Sequence, residues 1–158
     1  MFNKVVKYLQ NELISFLGAS DQTEVDHVLN HLPDGTVTGN KTICVLRRRA
    51  APLNYEIGRK GTPTNYTFTV DVMLIVSTST DRETCIDDLQ RLERKVWDLL
   101  GRTSTLNSFS ETEDNQTYRV IDYLIRGIDY PESIAQFDKA TQVSIIQLDI
   151  RIQQIINA

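Results

Sequence analysis

The chain has 158 residues, of which 41% are hydrophobic and 24% charged, and its formal net charge is −4. That length suits one domain with one core, read as a single domain over 1–158. No apolar run approaches the roughly 20 residues that span a bilayer, and an acidic balance is not that of a dedicated nucleic-acid binder.

The opening stretch "MFNKVVKYLQNELISFLG" places Phe2, Val5, Val6, Leu9, Leu13, Phe16 and Leu17 at helical spacing. It predicts an amphipathic helix ended by Gly18. Asn11 and Glu12 interrupt it too early for a signal-peptide core, so the chain is expected to stay in the compartment where it is made. Val25, Val28, Leu29 and Leu32 allow two further helical turns before "PDG" at 33–35.

Lys41 to Arg48 reads as a strand, and Arg49 to Asn65, with Pro52, Gly58, Gly61 and Pro63, as a long hairpin arm or irregular loop. "YTFTVDVMLIVST" is a strand by strict alternation of Phe68, Val70, Val72, Leu74 and Val76 with Thr67, Thr69, Asp71, Met73 and Ile75. A helix follows. Thr80 and Glu83 read as its capping box, acids crowd its first half, bases gather towards Arg102, and Gly101 ends it. "TLNSFSETEDNQT" reads as a polar loop, "YRVIDYLIRGIDY" as a strand broken by Pro131, and "ATQVSIIQLDIRIQQI" as a closing strand. The last two strands should run antiparallel across a short connection. The expected fold is a two-layer α+β domain: about four mainly antiparallel strands, two main amphipathic helices on one face, and an extended hairpin arm over about 49–65.

No catalytic constellation emerges. Phosphate-cradling glycine loops and the G-x-S-x-G elbow are absent. His27 and His31 would share a helical face, but no third ligand is apparent nearby, and two surface histidines are the simpler reading. Glu111, Glu113 and Asp114 lack the glycine and alternating ligands of a calcium loop, which favours a solvated acidic loop. Cys44 and Cys85 lie in apolar surroundings outside any C-x-x-C pair and read as buried thiols. No cofactor, metal or enzyme activity is expected.

The charge is polarised. Residues 41–60 hold Lys41, Arg47, Arg48, Arg49, Arg59 and Lys60 against Glu56 alone, a charge of +5 that leaves −9 for the remainder. The basic stretch admits three readings: a solvated arm, a contact with phosphates, or a contact with an acidic protein surface. The acidic Glu111–Asp114 and Asp81–Asp88 stretches offer a complement within the same chain. Such a pair suits head-to-tail self-association, which closes into rings. The candidate interface is therefore Arg47, Arg48, Arg49, Arg59 and Lys60 against Glu111, Glu113 and Asp114.

This layout resembles the tail terminator (tail completion) proteins of long-tailed bacteriophages. The likeness rests on the helix Phe2–Leu17, a strand Thr42–Arg48 leading through an arm into Tyr66–Ser77, the helix Asp81–Leu100, and closing strands Tyr118–Ile128 and Val143–Ile152. It covers nearly the whole chain and carries no diagnostic motif. The resemblance implies a hexameric ring in the tail or neck of a virion, made in the host cytoplasm. Such a ring caps the tail tube, contacts the tube protein and a neck or connector protein, and lets DNA pass through its lumen without sequence-specific binding. The alternatives are another head–tail connector, or a small nucleic-acid- or ligand-binding α+β domain.

Overall fold

A computed structural model defines residues 1–18, 25–33, 40–53, 64–78, 80–102, 104–131 and 141–157. In chain order the elements are α1 (Phe2–Gly18), β1 (His27–Leu29), β2 (Lys41–Pro52), β3 (Thr64–Val76), α2 (Arg82–Leu100), α3 (Ser104–Asn107), β4 (Ser110–Glu113), β5 (Gln116–Asp129) and β6 (Gln142–Ile156).

The strands form one six-stranded sheet in the order β1-β2-β3-β6-β5-β4. β1 runs parallel to β2, and every other neighbouring pair is antiparallel. The sheet is mixed and curls into half a barrel, so the molecule is mostly β. This corrects the expected fold class of about four strands with two helices. Two short strands account for the difference. His27–Leu29, whose spacing suits helical turns, is a strand, and so is Ser110–Glu113, whose polarity suits a loop.

One sheet face carries the core because the strands alternate. Phe68, Val70 and Val72 of β3 pair with Ile150, Leu148 and Ile146 of β6 and face the same way, together with Leu74, Val76 and Ile152. The helices cover that face. α1 buries Val5, Val6, Leu9, Leu13 and Leu17, and α2 buries Cys85, Leu89, Leu92, Val96, Leu99 and Leu100. Five apolar side chains withdrawn from water contribute roughly 10 kcal/mol gross for α1, before the entropy of ordering it is subtracted. The helix therefore needs the sheet beneath it.

Asp81, and not Thr80, caps α2. Its backbone is extended (φ −86°, ψ 120°), and its carboxylate accepts from the Glu83 N–H at 3.3 Å and the Thr84 hydroxyl at 2.9 Å. Gly101 closes the helix in right-handed geometry (φ −73°), its N–H donating to the Trp97 carbonyl at 2.7 Å. The β4–β5 connection is a two-residue turn at Asp114 (φ 49°) and Asn115 (φ 63°), both left-handed, as a tight hairpin requires. Asp26 fastens β1 beside β2: its Oδ2 accepts from the N–H groups of Asn40 at 2.6 Å and Lys41 at 2.9 Å.

Candidate assembly interface

Both long strands next to the sheet's margins outrun their outer partners. β1 covers β2 only at Thr42–Cys44, and β4 covers β5 only at Gln116–Arg119. Among the described residues, Leu46–Pro52 on one flank and Ile121–Asp129 on the other therefore present strand edges with no outer partner. Unpaired edges of this length invite further strands.

The two edges are level and opposed in direction. In register across the sheet, Leu46, Asp71, Gln147 and Gly127 form one row, Arg49, Thr69, Asp149 and Leu124 another, and Ala51, Thr67, Arg151 and Asp122 a third. Three antiparallel steps separate β2 from β5, so they run in opposite senses. A second copy set sideways thus brings its β5 edge alongside the first copy's β2 edge, antiparallel and at matching height.

The arginines sit on the β2 edge. A register shift between Arg47 and Arg49 marks a bulge around Arg48. All three are exposed. Arg48 Nη1 lies 3.6 Å from Asp71 Oδ1, close enough to attract but too far to hydrogen-bond, so that buried oxygen lacks a donor. Burial pushes the Asp71 carboxyl above the ordinary range, and the nearby Arg48 charge only partly offsets this. Arg47 and Arg49 have no ion-pair partner among the described residues. The arm expected over 49–65 is in part regular strand: Arg49–Pro52 pair with Tyr66–Thr69. Arg59 and Lys60 lie outside the described residues.

Glu111, Glu113 and Asp114 occupy the opposite flank, on β4 and its turn. Two of them already have a partner. Lys4 of α1 bonds Glu111, and its Nζ lies 2.7 Å from Glu113 Oε2. The Tyr118 hydroxyl donates to Glu113 at 2.9 Å. Glu111 and then Glu113 hold the Lys4 ammonium well above its ordinary range, while Lys4 and then Tyr118 hold Glu113 below its own. Sequence separations of more than a hundred residues hid this tie between α1 and the hairpin. Asp114 stays exposed at the tip.

The β5 edge was not anticipated as a surface. Register shifts at Ile121 and Arg126 bend it. Ile121, Leu124 and the adjoining Tyr130 are among the exposed large apolar residues, and Asp129, exposed, accepts from Gln147 at 3.1 Å. Asp122 takes a two-pronged contact from Arg151, with Nε at 2.6 Å, which lowers its pKa. The two flanks are unlike: three arginines and a proline on one, apolar side chains, two carboxylates and a single arginine, Arg126, on the other.

His27 lies in β1, and His31 follows it with Nδ1 2.7 Å from the Leu32 carbonyl, so they share no helical face. No cluster of three or more metal-ligating side chains occurs among the described residues. Cys44 and Cys85 are both buried, and burial pushes the Cys44 thiol up to about 11. No helix of the described residues is long and apolar enough to cross a membrane.

No protein-family description matches the chain, and no curated protein matches it in sequence. Among solved structures, a chain from the virion of a native gene transfer agent particle is similar at 12% sequence identity and a TM-score of 0.44. The alignment covers 89% of this chain and 84% of that one.

Proposed function

We propose that this chain is a structural virion protein of the tail-terminator kind, a subunit whose copies join side by side into a ring that caps a tail tube and connects it to the neck. One observation carries the reading: two unlike strand edges, on opposite flanks of one sheet, level in register and opposite in direction. Heterologous contacts of that sort close into a ring when the rotation between neighbours permits. The arginines of β2 supply positive charge at one side of the joint, and the other side carries the carboxylates Asp122 and Asp129, with Asp114 at the hairpin tip, around a single cation, Arg126. Function is then steric and interfacial, with no bond chemistry, and DNA traverses the lumen without sequence readout. Another head–tail connector would use the same edges; the tail tube as the recruiting partner distinguishes the terminator.

Native mass spectrometry of the purified chain tests the reading. A closed homo-oligomer, with a hexamer as the family-like outcome, is the expected result. A chain that stays monomeric at high concentration, and that no tail tube recruits, overturns it.

A further inference from the structure

A groove of about 440 Å³ lies where the start of β2 meets the outer side of α2. Among the described residues it is lined by Lys41, Arg91, Arg94, Lys95 and Asp98, with Leu92 at its floor. Leu92 is 3% exposed, so the floor is apolar. Arg91 leans on Asp88 at 3.5 Å. The lining holds four cations, one of them shared with Asp88, against a single lining carboxylate, a local positive excess in a chain whose net charge is −4.

The groove lies away from the open Leu46–Pro52 edge, at the end of β2 that β1 covers. Lys41 opens β2 and pairs with Val76, the last residue of β3, which in turn pairs with Gln142, the first of β6. It therefore sits at one end of the strands. On the ring reading above, on which this placement rests, neighbours consume the flanks and the strand ends face whatever stacks on the ring.

We propose that this groove docks an acidic polypeptide segment of a stacking partner protein. Charge complementarity selects an anion. The concave form and apolar floor select a segment with carboxylate side chains and some apolar contact over a duplex, whose phosphates track flat or ridged basic surfaces. Asp98 in the wall disfavours a run of phosphates and leaves room for a cationic neighbour in the incoming segment.

The test is fluorescence anisotropy of the full chain with a labelled oligo-glutamate peptide carrying one central leucine, and separately with duplex DNA, each at low and high salt. Arg94→Glu should weaken peptide binding about tenfold or more, with Arg94→Gln and Lys41→Gln giving smaller losses, since solvent-facing neutralisations leave the fold intact. Arg47→Glu should leave it unchanged, and native mass should not move with Arg94→Glu. Peptide binding equal in all variants overturns the proposal. So does duplex DNA that competes with the peptide and loses affinity with the same substitutions, which makes the groove a nucleic-acid contact. A monomeric chain that no tail tube recruits but that still binds the peptide in an Arg94-dependent way leaves the groove standing and removes the ring.

Discussion

Reversing Arg47 and Arg49 together should separate assembly from folding. Both side chains are exposed on the β2 edge and have no ion-pair partner among the described residues. Subunit stability should therefore move by no more than about 0.5 kcal/mol. At a joint, each reversal changes the charge by two units and turns an attraction of up to about 1 kcal/mol into a similar repulsion. Two reversals, discounted for water still present at the rim, cost about 3 kcal/mol per joint, or roughly two powers of ten in its dissociation constant. Sedimentation velocity at fixed protein concentration should show the oligomer falling to smaller species, while the urea midpoint stays put. High salt should narrow the gap between wild type and variant, because screening weakens attraction and repulsion alike. Arg48 is deliberately excluded. Arg48→Glu places a second acid beside half-buried Asp71 and should lower the urea midpoint by itself. An unchanged oligomer with the Arg47→Glu, Arg49→Glu protein at low salt refutes the charged joint.

Leu89 is 4% exposed on the buried face of α2. Leu89→Ala should cost about 3 kcal/mol, and Leu89→Asp enough to unfold most of the subunit, since a buried carboxyl adds its own penalty; circular dichroism during urea titration measures both, and a well-folded Leu89→Asp protein contradicts the assigned face. Acid should destabilise the fold. The backbone N–H groups of Lys41 and Asn40 depress Asp26, Lys4 and then Tyr118 depress Glu113, and Arg151 depresses Asp122. Each contributes stability above its unfolded pKa and loses it as the pH falls through the depressed value. Asp71, raised by burial, works the other way, so three groups oppose one. Urea midpoints should drop between about pH 5 and pH 3, and a rise over that range would show that Asp71 dominates. The Cys44 thiol, pushed up to about 11 by burial, should resist a disulfide reagent near neutral pH in the folded chain and react after unfolding. Rapid labelling of Cys44 in the native protein would mean that its side of the sheet is open.

What was legible followed the strength of the local pattern. β3 declared itself because Phe68 to Val76 alternate without a break, and α2 because its apolar face, graded charge and terminal glycine agree. β1 did not, because three residues carry no period. It exists because β2 pairs with it and because the Gln10 side chain donates to the Val28 carbonyl at 2.8 Å. Val28, Leu29 and Leu32 fit a helix equally well in the absence of those partners. β4 was hidden by polarity: Ser110, Glu111, Thr112 and Glu113 offer no apolar face, and only the Asp114–Asn115 pair signals the tight turn that pairs them with Gln116–Arg119. Of the interface residues, the arginines were visible as a charge run, but the bulge that spreads them and the Arg48–Asp71 contact were not. The Ile121–Asp129 edge was invisible in principle, since an edge is a property of strand order and not of any one strand.

The β4–β5 hairpin also acts as a buckle between α1 and the end of β6. Lys4 grips it through Glu111 and Glu113. Asn157 donates its N–H to the Asn115 carbonyl at 2.8 Å, and the Asn115 amide donates back to the Asn157 carbonyl at 2.7 Å. Residues 4 and 157 are therefore brought to one corner of the molecule, although nearly the full length of polypeptide lies between them. Cutting the hairpin at its turn should therefore loosen α1 and the end of β6 together, since one short element holds both.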